Sequence, residues 1–521
     1  MSPQVKGIHG ASSLLLSESY IQDVQAPHMY RISRTTTDHI RRYTITPSGQ
    51  CETFLTIKNV PRPRSLPLFG TKLDFFLAGR GTRLHEYIDA RHKLHGSIFC
   101  EKLNGNTDLV FISDAALMKT LFLNREGKYP AHILPDPWVL YEKLYGFKRG
   151  LFFMDGEEWL NNRRIMNKHL LRENTESWLE SPIKQTVDNF ISKLKGRAAN
   201  CGIVLEIESD LYKLSTDVII KVLLGTNSSI FESKHYEELV AIFSNAVKKI
   251  FQTTTKLHGL PLNLCQRLNL KVWTDFKESV DISIFLAQKI VNEILVGRHE
   301  TNGLIKKLSD ENMDDETIRK IAADFIIAAG DTTAYTTLWT LLMLFENSEV
   351  LNELRRKDDL YVKCVIKESM RLYPVAPFLT RILPKDCFLG PYKFKQGKDN
   401  IKEKSLNTPI VASIYTSGRD EQNFSNANMF LPYRWDRNDP RKENLTNHVP
   451  SASLPFALGA RSCIGKKIAI TQLTEVIQQV SNNFEFKFNN SKNIRPITSQ
   501  VLVPNKQIEL CLTLRNYNEK E

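Results

Sequence analysis

The feature that most constrains this chain is residues 454–469, the cysteine segment, in which one cysteine has neighbours at fixed spacing. Phe456, Gly459, Arg461, Cys463 and Gly465 follow the spacing F-x-x-G-x-R-x-C-x-G. Two glycines beside a cysteine let the backbone turn sharply and approach a flat ligand closely. A helix that begins just after the cysteine directs its N-terminal amides at the sulfur, which favours the thiolate. The pattern predicts a functional thiolate rather than an inert buried cysteine.

The rest of the chain has mostly helical spacing of its apolar residues. The clearest predicted helices are residues 82–96, 157–171, 210–225, 235–252, 272–298, 315–345 and 361–372. Short strands are predicted at residues 97–103, 109–112, 410–414 and 507–514. Because strands and helices do not alternate and no glycine-rich phosphate loop is present, a doubly wound nucleotide fold is disfavoured. We expect a mainly α fold with small β-sheets, whose chemistry depends on a bound prosthetic group.

The composition narrows the class of protein but does not identify a binding partner. The 521 residues are 42% hydrophobic and 25% charged, which excludes a disordered or collagen-like chain. None of the eight cysteines lies in a Cys-x-x-Cys pair, so the commonest zinc and thioredoxin sites are excluded. The net charge of +12 permits nucleic acid, anionic membrane or an acidic protein as partner. No uncharged apolar run reaches 18 residues, so no membrane-spanning anchor is expected.

The first 60 residues differ in character from the remainder. They are rich in Ser, Thr and Arg but retain several acidic residues. A mitochondrial transit peptide is Arg-rich, Ser-rich and poor in acids, so this segment is either such a leader or a disordered tail. Residues 61–67 contain three prolines and cannot form a helix. We expect one domain over residues 61–521 after a leader over residues 1–60.

The cysteine segment resembles the haem-thiolate loop of the cytochrome P450 family, and the resemblance extends over about residues 60–515. It implies the cytochrome P450 fold, mainly α with small β-sheets, enclosing haem b. Under the resemblance Cys463 is the axial ligand of the haem iron, and thiolate donation favours cleavage of dioxygen. Arg461 would pair with a haem propionate, and Phe456 would pack beside the sulfur.

Two further motifs resemble the family's propionate-binding positions. Trp159 and Arg163 are four residues apart, so they lie on one face of a helix. This pair resembles the family's C helix, in which both residues reach haem propionates. Arg381, seven residues after Pro374, matches a third propionate partner.

The run Ala328-Ala-Gly-Asp-Thr-Thr333 places an acid inside a mostly apolar helix. Burying an aspartate is costly without hydrogen bonds, and Gly-Asp-Thr-Thr is poor helix material, so we expect a local break in this helix. The run resembles the family's stretch above the haem. Asp331 and Thr332 then correspond to the acid and the alcohol that deliver protons.

Glu368-Ser-Met-Arg371 is an E-x-x-R pair on one helix, and Pro374 ends that helix. Downstream, Phe430-Leu-Pro-Tyr-Arg-Trp435 resembles the family's P-x-R-[FW] segment. Glu368, Arg371 and Arg434 would form a buried ion network with a structural rather than catalytic role.

Lys363 and Lys367 stand four residues apart on that same helix. The pattern Lys-x-x-x-Lys-Glu-x-x-Arg resembles the mitochondrial clan of the family, in which both lysines bind an acidic ferredoxin. Lys466 and Lys467 add positive charge on the same side. One departure is a connector of only a few residues between Arg356 and Tyr361, where mitochondrial members usually have more.

The resemblance implies a monooxygenase that uses dioxygen and electrons from an adrenodoxin-type ferredoxin. Within the clan, the motifs are most similar to insect P450s that synthesise ecdysteroids, which implies hydroxylation of a steroid precursor, with position 2 the expected site. The alternatives are oxidation of xenobiotics, or a haem-binding protein or isomerase that does not activate oxygen. We expect a mitochondrial enzyme in peripheral contact with the matrix side of the inner membrane, and no nucleic-acid partner.

Overall fold

The helix Asp315–Glu346, called the long helix below, is the element around which the other helices pack. Its N-terminus is capped by Asp314, whose carboxylate accepts a 2.9 Å hydrogen bond from the backbone N–H of Thr317. Its 32 residues extend about 48 Å. It contacts the helices Ile207–Leu224, Lys271–Val296 and Lys466–Asn483. Most of its side chains are buried, as expected of an apolar helix in the centre of a large core.

This computed structural model describes residues 55–515 except 65–69, 104–106, 148, 173–175, 200–202, 226–233, 297–301 and 395–407. Residues 1–54 of the expected leader therefore lie outside the described residues. Leu55–Thr56 pairs with the strand Tyr392–Phe394, and Val60 is buried in the core.

Helices account for most of the described residues. The remaining α-helices are Lys72–Leu77, Leu84–His95, Ala115–Thr120, Asp136–Tyr145, Gly156–Leu170, Glu176–Ala198, Lys234–Leu257, Leu262–Arg267, Leu304–Asp310, Ser348–Leu354, Asp359–Leu372 and Ile414–Ser417. Each helix that the sequence predicts is present, with ends that differ by a few residues. Several short helices, and Glu176–Ala198, were not predicted.

The strands form four small sheets. One has the order Ile98–Glu101, Leu109–Ile112, Pro409–Ser413, Phe378–Ile382, with its middle pair parallel. A second has the order Ile203–Glu206, Glu509–Leu514, Phe484–Phe488 and is antiparallel. A third joins Leu55–Thr56, Tyr392–Phe394 and Cys387–Leu389, and a fourth pairs Pro496–Ser499 with Val501–Pro504. The first two sheets connect segments that are far apart in sequence.

The prediction of a local break at residues 330–333 was wrong, because the long helix continues through them without interruption. The hydroxyl of Thr332 donates to the carbonyl oxygen of Ala328 at 3.0 Å, and that of Thr336 donates to Thr332 at 2.7 Å. Polar side chains that bond to the preceding turn are compatible with a continuous helix. The missing side chain of Gly330 admits the ring of Tyr212, since a Cβ there would lie 2.5 Å from ring carbons.

Among the described residues, no helix combines the length and apolar character needed to cross a bilayer.

Candidate functional site

The cysteine segment is folded into a tight loop by its own backbone. The N–H of Cys463 donates to the carbonyl oxygen of Phe456 at 2.8 Å. Gly459 has φ of +80°, and a Cβ there would lie 2.2 Å from the carbonyl oxygen of Phe122 and 2.3 Å from Oε1 of Glu126. Only glycine fits this position, for both conformational and steric reasons. The predicted sharp turn before the cysteine is therefore present.

Cys463 lies just before the helix Lys466–Asn483, and its side chain is accessible although neighbouring residues are partly buried. Desolvation raises the pKa of the Cys463 thiol, and the Gly465 N–H and the charges of Arg163 and Lys466 oppose that rise. A thiolate at this sulfur would therefore be stabilised by a cation bound directly to it. The site suits a thiolate that ligates a metal better than a free nucleophile.

Arg163 connects the cysteine segment to the helix Gly156–Leu170. Trp159 and Arg163 are both buried on the inner face of this helix, as their spacing predicts. Nη2 of Arg163 donates to the carbonyl oxygen of Ser462 at 2.7 Å. Burial lowers the pKa of Arg163 to about 10. The guanidinium is thus held beside Cys463 with little solvent around it.

Arg461 lies over the ring of Trp159, the other residue of the Trp159–Arg163 pair. Its guanidinium carbon is 4.4 Å from the centre of the Trp159 ring. Nη2 donates to the carbonyl oxygen of Met154 at 2.7 Å and lies 3.3 Å from Oδ1 of Asp155. Burial, together with the charges of Arg381 and Arg163, lowers the pKa of Arg461 to about 10.

Arg381, on the strand Phe378–Ile382, completes a cluster of three arginines. Its Nε donates to Oε2 of Glu126 at 2.8 Å, and Oε1 of Glu126 accepts the N–H of Ala460 at 2.6 Å. Glu126 therefore joins Arg381 to the cysteine segment. Sequence reasoning did not identify Glu126, because its partners come from segments distant in the chain.

His132 is a second residue that sequence reasoning missed. An antiparallel bridge pairs Ala131 with Ile382, so His132 stands opposite Arg381. Its ring is 4.4 Å from that of Phe152. Burial, reinforced by Arg461 and Arg381, lowers the pKa of His132 to about 3, which keeps the imidazole neutral. A lone histidine in a segment without a motif gave no signal for this position.

The cluster has unused hydrogen-bonding capacity and excess positive charge. Nε of Arg163, Nε of Arg461 and Nε2 of His132 are buried and have no hydrogen-bond partner among the described residues. In the part of the chain that the structure describes, the three guanidiniums contact two carboxylates, those of Glu126 and Asp155. Unpaired buried donors and uncompensated charge indicate an anionic ligand. Two propionates beside a thiolate-ligated iron fit this set of groups, so the residues present suit a haem.

The long helix has a short accessible stretch on its threonine face. Ala328 is exposed and Ala329 and Thr332 are partly exposed, although the residues before and after them are buried. A few accessible positions within an otherwise buried helix indicate that the helix borders an internal chamber there. Thr332 is therefore positioned to contact a molecule inside the chamber.

Asp331, about 100° around the helix from Thr332, faces the helices Ile207–Leu224 and Lys234–Leu257. Its Oδ2 is buried without a hydrogen-bond partner in the described part of the chain. Burial raises the pKa of Asp331 to about 7, while Lys248 lowers it and Glu208 raises it further. A carboxyl group that titrates near neutral pH can both give and take a proton.

The predicted ion network is present and fully buried. Glu368 accepts hydrogen bonds from Arg371 (Nε and Nη2, both 2.8 Å), from Nε of Arg434 (2.9 Å), from Nε1 of Trp435 (2.8 Å) and from the N–H of Leu431 (2.9 Å). Burial opposes ionisation, yet Arg371 and Arg434 hold the pKa of Glu368 below its ordinary value. The network joins the helix Asp359–Leu372 to residues 431–435.

The four lysines of the proposed docking face differ in their contacts. Lys363 and Lys367 are both exposed on the helix Asp359–Leu372. Lys466 is exposed, with Nζ 5.9 Å from the centre of the Phe456 ring. Lys467 donates to the carbonyl oxygen of Arg172 at 2.7 Å. Only four residues, 355–358, separate the helices Ser348–Leu354 and Asp359–Leu372, as the sequence indicates.

Comparisons with known proteins agree with this geometry. Residues 60–512 match the family described as Cytochrome P450. The chain is 34% identical over 478 residues to "Cytochrome P450 315a1, mitochondrial" of Drosophila melanogaster, covering 88% of each chain. It is 28% identical to the rat "1,25-dihydroxyvitamin D(3) 24-hydroxylase, mitochondrial", over 88% of this chain and 90% of the relative. It is 25% identical to the "Cholesterol side-chain cleavage enzyme, mitochondrial" of Hypanus americanus, over 80% of this chain and 83% of the relative. The chain belongs to the cytochrome P450 family and is a monooxygenase whose cofactor is haem b.

Proposed function

We propose that this enzyme hydroxylates a C–H bond of a steroid, an ecdysteroid precursor, at position 2. The observation that carries the proposal is the accessible Cys463 next to the buried Arg163 of the arginine cluster, together with the accessible Thr332 on the long helix. Two relatives support the substrate class, since their names specify a vitamin D compound and cholesterol. The similarity of the motifs to insect ecdysteroid-synthesising P450s supports the choice of an ecdysteroid precursor and of position 2.

We propose the haem-binding roles from the contacts around Cys463, which support them. When bound, haem b supplies the activation of dioxygen, and thiolate donation promotes O–O cleavage. We assign the axial thiolate to Cys463 and place Phe456 beside its sulfur. Trp159, Arg163, Arg381 and Arg461 would hold the propionates, with the free nitrogen of His132 as an additional partner.

Asp331 and Thr332 would share the delivery of protons. The Thr332 hydroxyl borders the chamber, and its single proton is donated to the Ala328 carbonyl. The hydroxyl would rotate away from that carbonyl to donate to a group in the chamber. Asp331 lies on the side of Glu208 and Lys248, through which protons can arrive from solvent. A pKa near neutrality suits a group that must be reprotonated in each turnover.

Electrons would come from an adrenodoxin-type ferredoxin that docks on the exposed Lys363 and Lys367. Lys466 adds charge to this face, whereas Lys467 is partly engaged by Arg172. The buried ion network of Glu368, Arg371 and Arg434 would stabilise the protein beneath this docking face.

We also propose a mitochondrial location, which the names of all three relatives support. Residues 1–60 would contain the leader and 61–521 the P450 domain. The sheet pairing of Leu55–Thr56 favours a mature chain that begins before residue 55.

Peripheral membrane contact would involve two neighbouring apolar segments. Leu77 is 79% exposed and Leu268 is 61% exposed. The segment that precedes Leu268 approaches the helix of Leu77 at one point, since a Cβ at Gly259 would lie 4.0 Å from the ring of Phe75. Exposed leucines flanked by Lys256 and Arg267 suit an anionic bilayer surface. Sedimentation with cardiolipin vesicles should be weakened by Leu268→Ser, which removes apolar surface without changing the charge, and unchanged binding would contradict this contact.

A panel of ligands tests the function. Purified enzyme is titrated with ecdysteroids that lack the 2-hydroxyl group, with other steroids and with xenobiotics, and the haem spin-state shift is recorded. Ligands that respond are then incubated with NADPH, ferredoxin reductase and ferredoxin, and the products are identified. A 2-hydroxylated ecdysteroid supports the proposal. Turnover of xenobiotics alone, or of steroids at another carbon, would overturn it.

A further inference from the structure

A cavity of about 750 Å³ lies at the C-terminal end of the long helix, and it is called the outer cavity below. Its walls come from the end of the long helix, the helix Ser348–Leu354, the end of the helix Asp359–Leu372 and residues 428–433. Met343, which lines it, is 11 residues beyond Thr332, or about 16 Å along the helix axis. The outer cavity is therefore distinct from the chamber that Thr332 borders.

Arg419 brings to the wall of the outer cavity a guanidinium that lacks an acceptor. Its Nη1 is buried and has no hydrogen-bond partner among the described residues, and no carboxylate in that part of the chain forms an ion pair with it. Two aromatic rings contact it instead, since the guanidinium carbon lies 3.9 Å from the centre of the Tyr415 ring and 5.3 Å from that of Tyr373. Burial lowers the pKa of Arg419. A desolvated guanidinium with an unused donor indicates an anionic ligand.

Buried elements hold Arg419 in one position. The carbonyl oxygen of Gly418 accepts a hydrogen bond from Nη1 of Arg371 at 2.6 Å, and a Cβ at Gly418 would lie 2.8 Å from the carbonyl oxygen of Arg371. The ring of Tyr373 stacks on that of Trp339 in the long helix, with centres 4.5 Å apart. The guanidinium is therefore preorganised, which lowers the entropic cost of binding a ligand to it.

Glu346 places a negative charge at the mouth of the same cavity. It is exposed, yet the protein around it desolvates the carboxylate enough to raise the pKa of Glu346. Within the described ranges, its carboxylate makes no hydrogen bond or ion pair. Burial raises the pKa of Tyr373, while Arg419 opposes that rise and Glu346 adds to it. Two opposite charges therefore lie near one tyrosine, although no ion pair joins them.

The other acidic residues of the wall are already satisfied. The carboxylate of Glu353 accepts hydrogen bonds from Arg441 at 2.6 and 3.1 Å, and from the hydroxyl of Tyr361 at 2.7 Å. Burial opposes ionisation, yet these hydrogen bonds help to lower the pKa of Glu353 to about 2. Glu349 is exposed to solvent. A ligand of the outer cavity would therefore compensate the charges of Arg419 and Glu346.

We propose that the outer cavity binds a compact zwitterion of the α-amino acid type, whose carboxylate pairs with Arg419 and whose ammonium group pairs with Glu346. A carboxylate can accept two parallel hydrogen bonds from a guanidinium. A ligand with one charge would leave the other cavity charge without a partner, so a zwitterion is favoured. Val350 and Met429 also line the cavity and can receive a hydrocarbon side chain. The cavity and its charges are independent of the substrate that the enzyme oxidises.

Calorimetric titration of the haem-bound enzyme tests the ligand class. The probes are L-leucine, its carboxylate-only analogue 4-methylpentanoate and its ammonium-only analogue L-leucinamide, with glycine and L-phenylalanine as amino acids of other sizes. Leucine should bind at least about tenfold more tightly than either one-charge analogue. The haem absorption spectrum should stay unchanged, because the amino group does not reach the iron. Absence of binding by all three amino acids up to about 10 mM, or a shifted Soret band, would overturn the proposal.

Two substitutions separate the charges. Arg419→Met should abolish binding of both leucine and 4-methylpentanoate. Glu346→Gln should lower the affinity for leucine to that for 4-methylpentanoate, whose own binding should not change. Arg437→Met and Glu443→Gln are the matched controls, since both residues are exposed and lie outside the cavity wall, and they should bind as wild type does.

A third substitution keeps the test informative if Arg419→Met does not fold. Asn428 is exposed and lines the cavity, so Asn428→Trp fills part of it and leaves both charges in place. This variant should also lose leucine binding. Wild-type affinity for leucine in Asn428→Trp and in Glu346→Gln would overturn the assignment of the site.

Discussion

Arg163 donates a 2.7 Å hydrogen bond to the carbonyl oxygen of Ser462, the residue that precedes Cys463. The contact joins a helix near residue 160 to a loop some 300 residues later. It also places a buried positive charge near the sulfur, where it lowers the pKa of the thiol against the effect of burial. The Arg163 side chain therefore contacts the cysteine segment and is also proposed to bind the haem that this segment holds.

Removal of this guanidinium should weaken haem binding. A buried hydrogen bond to a charged group contributes about 1.5–3 kcal/mol, so Arg163→Leu should lower haem affinity by roughly tenfold or more. The haem-to-protein ratio after transfer to apomyoglobin measures this loss. Arg164→Gln, on the exposed side of the same helix, is the control and should retain haem. Equal retention in the two variants would contradict the role of Arg163.

Asp331 should make stability depend on pH. Its folded pKa of about 7 exceeds the model-peptide value of 3.8, so the folded state keeps a proton that the unfolded state loses. Stability is therefore lost as pH rises from about 4 through 7, by about 1.4 kcal/mol per unit. Asp331→Asn lacks this loss, so its stability relative to wild type should increase by about 2 kcal/mol between pH 5.5 and 8. Urea unfolding of both proteins, with Glu316→Gln as control, measures the change. If the stability difference between Asp331→Asn and wild type is the same at pH 5.5 and at pH 8, the raised pKa of Asp331 is refuted.

Loss of the Thr332 hydroxyl should uncouple the reaction. Thr332→Ala should keep haem and substrate binding but convert NADPH consumption largely into hydrogen peroxide, because protons no longer arrive productively. Thr337→Val removes a buried hydroxyl that donates to the Thr333 carbonyl of its own helix, so it should remain coupled. Product and peroxide formed per NADPH provide the comparison. Full coupling in Thr332→Ala would remove Thr332 from proton delivery.

Reversal of charge at Lys363 and Lys367 should impair ferredoxin docking. The double change to Glu should raise the ferredoxin concentration for half-maximal rate by roughly tenfold at low salt. The effect should fade as salt rises, because exposed charges are screened beyond about 8–10 Å. Lys119→Glu with Lys143→Glu gives the same change in net charge on exposed positions elsewhere. The substrate-induced spectral shift should stay constant in both. If the two double variants respond alike, net charge and not this face governs the encounter.

Local patterns predicted much of this molecule. The helix with Trp159 and Arg163, the Glu368–Arg371 pair and the turn at Gly459 each depend on spacing within one short segment, and each was recognisable in the sequence. Hydrophobic periodicity located the long helix for the same reason. The break expected at residues 330–333 was wrong, because hydrogen bonds along the helix and the ring of Tyr212 outweighed intrinsic propensity.

Long-range pairings outside the family's motifs were not predictable, whereas the pairing of Glu368 with Arg434 was expected from the resemblance. Glu126 meets Arg381 across 255 positions, and Arg149 meets Asp324 across 175. Neither pair lies in a motif, and sheet and helix packing alone brings the partners together. His132 is likewise brought opposite Arg381 by a single β-bridge between Ala131 and Ile382.

The central claim is that Cys463 is the thiolate ligand of the haem, and the carbon monoxide difference spectrum tests it most directly. A thiolate opposite bound carbon monoxide should move the Soret band far to the red of that of an imidazole-ligated haem. Wild type and Cys511→Ser, which changes a partly buried cysteine elsewhere, should both show the shifted band. Cys463→Ser should lack it. Retention of the shifted band in Cys463→Ser would show that another residue ligates the iron.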